Sequence, residues 1–504
     1  MSDQNVKNPK NQVRYAGFGE LLRSFSETDP SRAAILCEQH GSKQRLTRKE
    51  FADAVWARVK ELTGEAGAAG SGTVFRDGRS SGTCLGILCD GSLDCVLTVF
   101  ASALAGFQTV LLDENASEEL LAGQIRQTDI DCLWGSDEEL TGELQPYLTE
   151  GLPPSESSAA DSPDGRRILF FTSGTTSSSK AVVLTDSSLM AAAYNGSCML
   201  PLSPDDTLLC MLPLNHVFGF VCGLLWAMQC GAAAALGRGA RYYTQDLDFF
   251  RPTALSAVPL LLGFLVQQRL INPELSLILV GAGDCPEQLL AAVMQQGVRV
   301  SFGYGLTETS SGVAISVPGS PSFDPFAMEI CPENTVTLAP DGEILISSAS
   351  CMMKGYYKNP EDTAAVLEGG ILQSGDLGRW DENGRLHVIG RKKEILVLPD
   401  GTKIFLPEYE ARIAACLPGQ DFTVLERGAK PVLLLVEKEC AGWSEETRVS
   451  VRAALHEKLR GVMALLPRGQ QLGDILFTDK PLPRTATGKV KRWELQQSGE
   501  SPRV

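Results

Sequence analysis

The sequence predicts an α/β protein: a large N-terminal body of parallel sheets covered by helices, followed by a small α+β unit. Two observations carry this. Through about residue 302, short apolar runs alternate with helical patterns, and strands alternating with helices imply βαβ crossovers. From about residue 330 the texture changes to short strands and turns, and after residue 393 a strand, strand, helix, strand series follows. The length of 504 residues allows about two to four domains, or one large body with an appendage.

In chain order, "LGILCD" (85–90) reads as a buried strand, a helix follows near 94–106, and "QTVLL" (108–112) is the next strand. The rhythm returns at "LLCML" (208–212), "LILVG" (277–281) and "VRVSF" (298–302). "GEILISS" and "GRLHVIG" suggest antiparallel β structure. "FTVLE", "VLLLVE", a helix near 446–460 and "DILFT" complete the C-terminal unit. The uncharged stretch 217–237 is long enough to span a bilayer. Gly231 breaks it, however, and "AAAAL" after the break reads as a buried strand, so a core helix plus strand is the preferred reading and no transmembrane segment is expected.

Hydrophobic content of 43% and charged content of 21% are those of an ordinary globular protein. The net charge of −16 argues against a nucleic-acid partner, which needs a basic face. Any polyanionic ligand must therefore meet a local basic patch. The fourteen cysteines are scattered without a C-x-x-C and read as buried thiols of a reducing, cytoplasmic setting. The four histidines lie far apart, which gives a His/Cys metal site no support. The polar N-terminus lacks the apolar core of a signal peptide.

The stretch "LFFTSGTTSSSK" (169–180) stands out: a buried strand runs into glycine, serine, threonine and one lysine. It reads either as a surface loop or as a phosphate cradle of backbone N–H groups, hydroxyls and an ammonium. It is not a Walker loop. Gly174 and Lys180 have that spacing, but Ser179 replaces the second glycine and Ala181 the Mg²⁺-binding hydroxyl. Five further stretches accompany it in order: "LPLNHVFGF" (212–220), "FGYGLTET" (302–309), "SGDLGRW" (374–380), "GRKKEILVLPDGTKIFLPEYE" (390–410) and "LPRTATGKVKR" (482–492).

With these six stretches in order, the chain resembles the acyl-adenylate-forming (AMP-binding) ligases, and looks closest to fatty acyl-CoA synthetases. Phe171, Thr172, Ser173, Gly174, Thr175, Thr176 and Lys180 match the family's loop, while Ser177, Ser179 and Ala181 depart from it. Asp186 stands where many relatives carry histidine. The resemblance runs from about residue 17 to 495. It implies an N-terminal domain of residues 1–392, with a β-barrel-like part over about 313–392, and a mobile C-terminal domain of residues 393–504 hinged at Lys393.

The resemblance also implies roles. Thr172, Ser173, Gly174, Thr175, Thr176 and Lys180 would hold the ATP phosphates. Glu308 would offer a carboxylate oxygen to Mg²⁺. Gly305 and Thr307 would also bind the nucleotide, Tyr304 and the turn Gly281, Ala282 and Gly283 would receive adenine, and Asp376 and Arg391 the ribose. Lys489 would stabilise charge at the α-phosphate as the substrate carboxylate attacks. Thr176, Glu308, Lys489 and His216 form the expected catalytic set, with His216 positioning the carboxylate or gating the pocket; a satisfied core histidine is the alternative.

For the acid, the resemblance implies that an amino acid substrate would bring an Asp, to pair its ammonium, at the motif that here reads His216-Val217-Phe218-Gly219; no acid stands there, which favours a plain carboxylic acid. Phe218, Phe220, Val258, Gly303 and Gly312 are expected to line an acyl pocket, with Leu224 and Leu260 beside them. A medium- to long-chain fatty acid is the expectation, with an aryl acid as the alternative. The expected thiol is coenzyme A, met by Lys480, Arg484, Lys489, Lys491 and Arg492; an acyl carrier protein suits the same cluster. A non-catalytic acyl- or nucleotide-binding relative is a further alternative. Pro407, with Leu406 before it, is displaced from the family's proline position, five residues after Gly401.

Overall fold

The structure is a computed structural model that describes residues 13–64, 73–75, 83–149, 166–172, 179–283, 285–319, 323–397, 403–428, 430–484, 490, 492 and 495. The described residues fold into two compact units. The first takes the chain up to Thr172, then Lys180–Ser374 and Arg379–Val388; the second takes Ser179, Gly375–Gly378 and the chain from Ile389 onward.

Two large mixed sheets dominate the first unit. In one, the strands run in the order Glu329–Ile330, Ser311–Ile315, Arg299–Leu306, Leu277–Val280, Ala254–Ala257, Thr207–Cys210, Ala233–Leu236, Ala33–Gln39 and Ser42–Thr47. Its six central members, from Arg299–Leu306 to Ala33–Gln39, are parallel, and the antiparallel strands lie at the two edges. In the other, the order is Gly355–Tyr356, Ala181–Thr185, Arg167–Phe171, Gln108–Asp113, Cys84–Cys89, Cys132–Trp134 and Thr73–Phe75, again parallel in the middle. Cys84–Cys89, Leu277–Val280 and Ala233–Leu236 are buried at every residue, as parallel strands covered on both faces must be. Helices Phe18–Glu27, Arg48–Leu62 and Leu93–Leu104 pack their aromatic residues together, with the Phe18 and Phe100 rings stacked 4.3 Å apart.

The stretch 217–237 is a core element. Phe218–Leu225 is a wide π-helical segment, Trp226–Cys230 continues it as α-helix, and Gly231 ends it in the left-handed conformation before the strand Ala233–Leu236. No helix among the described residues is long and apolar enough to cross a membrane. All fourteen cysteines are free thiols. The β-rich stretch is a five-stranded sheet of Thr335–Leu338, Glu343–Ser347, Ile371–Trp380, Leu367–Glu368 and Leu386–Arg391. The C-terminal unit joins Phe422–Arg427, Lys430–Val436 and Asp474–Thr478 into a sheet, with helices Leu406–Cys416 and Glu445–Met463 contributing to its core.

Candidate active site

The hydroxyl-rich stretch connects two antiparallel strands, Arg167–Phe171 and Ala181–Thr185. Ser173, Gly174, Thr175 and Thr176 lie outside the described residues. The walls of the hairpin are defined. At its mouth the Thr172 N–H donates to the Lys180 carbonyl at 2.9 Å, and the Lys180 N–H donates to Thr172 Oγ1 at 3.1 Å. Thr172 is thus held by the backbone of the loop's exit.

At the base of the hairpin, Asp186 is 2% exposed and heavily bonded. It accepts from the Phe18 N–H at 3.1 Å, from the Arg166 N–H at 3.3 Å and from Arg166 Nη1 at 3.2 Å. The carboxylate therefore ties the first turn of helix Phe18–Glu27 to the hairpin. Asp186, one of the positions expected to depart from the family pattern, thus has a structural use here.

Lys180 leaves the loop toward a second carboxylate. Its Nζ lies 2.8 Å from Asp362 Oδ2 and 4.7 Å from the centre of the Tyr356 ring. The Tyr356 hydroxyl donates to Glu308 Oε1 at 2.7 Å. The expected phosphate-binding lysine and the expected Mg²⁺-binding carboxylate are thus joined through one tyrosine. Tyr356 is placed by the strand Gly355–Tyr356, which pairs with Val182 and Val183 just beyond Lys180. Asp362 is placed by helix Pro360–Val366, whose cap Asn359 accepts from the Asp362 N–H at 3.0 Å and donates to its carboxylate at 2.9 Å.

Glu308 follows the strand Arg299–Leu306 in a short 3₁₀ turn, Thr307–Thr309. A Cβ at Gly305 would fall 1.7 Å from the Ser311 carbonyl oxygen, so only glycine fits there. Ser310 and Ser311 both take positive φ, at 54° and 111°, and both are buried. Strained non-glycine backbone of this kind clusters at ligand sites. Tyr304 packs half-buried against the main core. Among the described residues no three His, Cys, Asp or Glu side chains cluster for a metal. Mg²⁺ bound through phosphate oxygens needs only one or two protein carboxylates, so Glu308 fits that donor set.

The strand Leu277–Val280 delivers Gly281, whose N–H donates to the Ala257 carbonyl at 3.1 Å. Ala282 turns with φ 61°, and Ala282 and Gly283 are exposed. A Cβ at Gly281 would stand 3.1 Å from the Phe218 ring and 3.3 Å from the Gly303 carbonyl oxygen. Phe218, Gly281 and Gly303 therefore form one tight wall, flanked by Leu279 beside Gly303. Gly312 accepts from Asn334 at 3.3 Å, and Val258 is half-buried at the start of helix Pro259–Gln267. The other expected lining residues separate. Phe220 is fully buried against Phe170 and Phe18, Leu224 is also buried, and Leu260 is 86% exposed.

His216 is exposed, yet protein crowds it enough that desolvation lowers its pKa, with the Asp113 carboxylate opposing. Its imidazole is thus held toward the neutral form. Glu114, next to Asp113, is pushed up to about 7 by burial and then by the carboxylates of Asp90, Asp113 and Asp137.

In the C-terminal unit Arg391 Nε lies 2.8 Å from Asp376 Oδ1, so the two expected ribose residues form one pair. Asp376 is nearly buried and Arg391 half-exposed. Lys393 falls in the turn Lys392–Glu394; Lys489, Lys491 and Gly401 lie outside the described residues. Of the expected cationic cluster, Arg484 pairs with Asp421 and Arg492 with Glu410. Leu406 is buried, and Pro407 sits in the first helical turn of Leu406–Cys416, where its missing N–H is harmless.

Residues 32–357 match the family described as AMP-binding enzyme. The chain belongs to that family. It is 28% identical over 329 residues to a probable CoA ligase of Humulus lupulus, a match covering 60% of this chain and 61% of that protein, less than two thirds of its length. It is 27% identical over 411 residues to a 2-succinylbenzoate–CoA ligase of Bacillus pumilus, covering 76% of this chain and 79% of that one. The fold is similar to that of an O-succinylbenzoate coenzyme A synthetase from Bacillus subtilis in complex with AMP. The TM-score is 0.72 and the identity 22%, over 96% of this chain and 99% of that one.

Tyr356 and Asp362 are the site residues that sequence reasoning missed. "GYYKNPED" (355–362) carries a helix-start signal at Asn359-Pro360, but nothing local pairs it with Lys180.

Proposed function

We propose that this AMP-binding enzyme activates a carboxylic acid with ATP to an acyl-adenylate and then transfers the acyl group to the thiol of coenzyme A. The observation that carries the reading is the joining of Lys180 and Glu308 through Tyr356 beside the hydroxyl-rich hairpin. A cation and a hard carboxylate held together there suit a metal-bound polyphosphate. Mg²⁺, when bound, neutralises phosphate charge and screens the approach of the substrate carboxylate.

The residues divide the work. Lys180 donates to phosphate oxygens leaving as pyrophosphate. Gly281–Gly283 and Tyr304 present a flat surface to a base, and Asp376, oriented by Arg391, accepts from ribose hydroxyls. The neutral His216 donates a hydrogen bond to the acid or guards its entry. Lys489 meets charge building at the α-phosphate.

For the acid, an aryl carboxylate replaces the fatty acid expected from sequence. The Bacillus pumilus relative and the Bacillus subtilis structure both carry succinylbenzoate in their names. The Phe218–Gly281–Gly303 wall, where a Cβ at Gly281 would crowd the Phe218 ring at 3.1 Å, suits a flat ring. Phe220, packed into the core, offers no tunnel wall for a long chain.

Acid-dependent ATP–pyrophosphate exchange tests this, run with benzoate, 2-succinylbenzoate and anthranilate beside fatty acids of several lengths. Exchange with an aryl acid, abolished by Lys489→Ala, and thioester on adding coenzyme A are the expected results. Exchange with fatty acids alone overturns the aryl assignment, and exchange with none overturns adenylation.

A further inference from the structure

Lys180 is ion-paired within its own chain. Its ammonium sits 2.8 Å from the Asp362 carboxylate, and Asn359 orients that carboxylate from the helix cap. The corner that carries Asp362 is firmly built. Thr363 Oγ1 accepts from the Tyr356 N–H at 2.9 Å and donates to the Asn359 carbonyl at 2.7 Å. The Lys354 and Tyr357 N–H groups donate to Val183 and Ala181, on the strand that leaves the hairpin. The carboxylate is therefore fixed to the same frame as the lysine. The pair is still partly open to water, with the Lys180 side chain 25% and the Asp362 side chain 44% exposed. Exposed pairs are weak and exchange readily.

Resting on the reading above, we propose that Asp362 is a positioning residue that stands in for phosphate. It holds Lys180 at the loop exit, is displaced when the polyphosphate arrives, and recaptures the lysine as pyrophosphate leaves. Tyr356 couples the exchange to Glu308, because its ring lies under the Lys180 ammonium while its hydroxyl holds the Glu308 carboxylate. The device sets affinity. A carboxylate beside Lys180 competes with phosphate for the ammonium and repels the incoming charge, so nucleotide and pyrophosphate both bind more weakly than the lysine alone would allow. Fast release of pyrophosphate is the return.

The test is calorimetric titration of the full chain with Mg-pyrophosphate and, separately, MgATP without acid. Asp362→Asn keeps the shape and an acceptor for Asn359 but removes the charge, and Asp362→Ser removes the charge with less bulk. Both are expected to tighten pyrophosphate roughly fivefold at low ionic strength, the effect of one nearby charge across a partly hydrated gap. The gain should shrink at about 1 M salt, where the screening length falls to about 3 Å. Glu361→Gln removes the same charge one residue away, on an exposed side chain, and is expected to change affinity little. Lys180→Met should weaken binding.

Unchanged or weaker binding in the Asp362 variants, with Lys180→Met still impaired, overturns this inference and leaves adenylation standing. Equal tightening by Glu361→Gln overturns it too, since the contact would then be irrelevant. No binding of MgATP by the unmodified protein overturns both.

Discussion

One hairpin carries two ion pairs of opposite character. At its base Asp186 is buried and meets Arg166 along with the N–H groups of Phe18 and Arg166. At its mouth Asp362 is 44% exposed and meets Lys180. Each is an aspartate facing a cation at hydrogen-bond distance. Burial and the number of donors separate them. The base pair cannot be exchanged for water without leaving charge in the core. The mouth pair can be exchanged for a phosphate at little expense. A strand pair thus holds its frame at one end and keeps its cation available at the other.

The comparison breaks most sharply at Asp186. Asp186→Ala leaves Arg166 and the Phe18 N–H without their acceptor, and should lower stability by about 3 kcal/mol in urea unfolding. A loss near zero would show that the base is as exchangeable as the mouth. Lys180→Met should do the reverse. Stability is expected to stay within about 1 kcal/mol, while ATP–pyrophosphate exchange falls by roughly 10- to 100-fold, the worth of one charge-assisted phosphate bond. Equal damage to folding would place Lys180 with the base pair.

Glu114 sharpens the contrast, because burial and like charges act on it together. Its native pKa, about 7, stands above the unfolded value near 4.5. Between those values the folded protein holds more protons than the unfolded chain, so this contribution to stability is full below about pH 4.5 and lost as pH rises through 7. Glu114→Gln should therefore match the unmodified protein in thermal melts near pH 4.5 and exceed it near pH 8. A constant difference at both pH values would show that Glu114 acts through packing alone.

Much of this was legible in the sequence because the signals are local. The apolar runs at 85–90, 108–112 and 277–281 became the buried strands, and "FFTSGTTSSSK" did lie between two strands. Asp376 and Arg391, picked out as ribose partners fifteen residues apart, are paired. What escaped depends on long-range pairing. Gly355–Tyr356 is a two-residue edge strand with no periodicity to read, yet it brings Tyr356 and Asp362 to Lys180. Phe220 and Leu260, both apolar and both expected at the pocket, diverge because a π-helical segment turns one into the core while helix Pro259–Gln267 turns the other outward. The basic run near the C-terminus looked like a cationic patch, but its two described arginines meet Asp421, just before strand Phe422–Arg427, and Glu410, on helix Leu406–Cys416.

The order of synthesis gives the Asp186 contact another meaning. Phe18 leaves the ribosome 168 residues ahead of the carboxylate that receives its N–H. The strand Ala33–Gln39 waits longer, since the parallel neighbour that pairs Ile35 with Ala234 emerges about two hundred residues after it. At ordinary elongation rates of about 5–20 residues per second, helix Phe18–Glu27 and strand Ala33–Gln39 spend roughly ten seconds or more without these partners. Until then helix Phe18–Glu27 lacks its Asp186 contact and strand Ala33–Gln39 its parallel neighbour, which leaves both open to chaperones during synthesis.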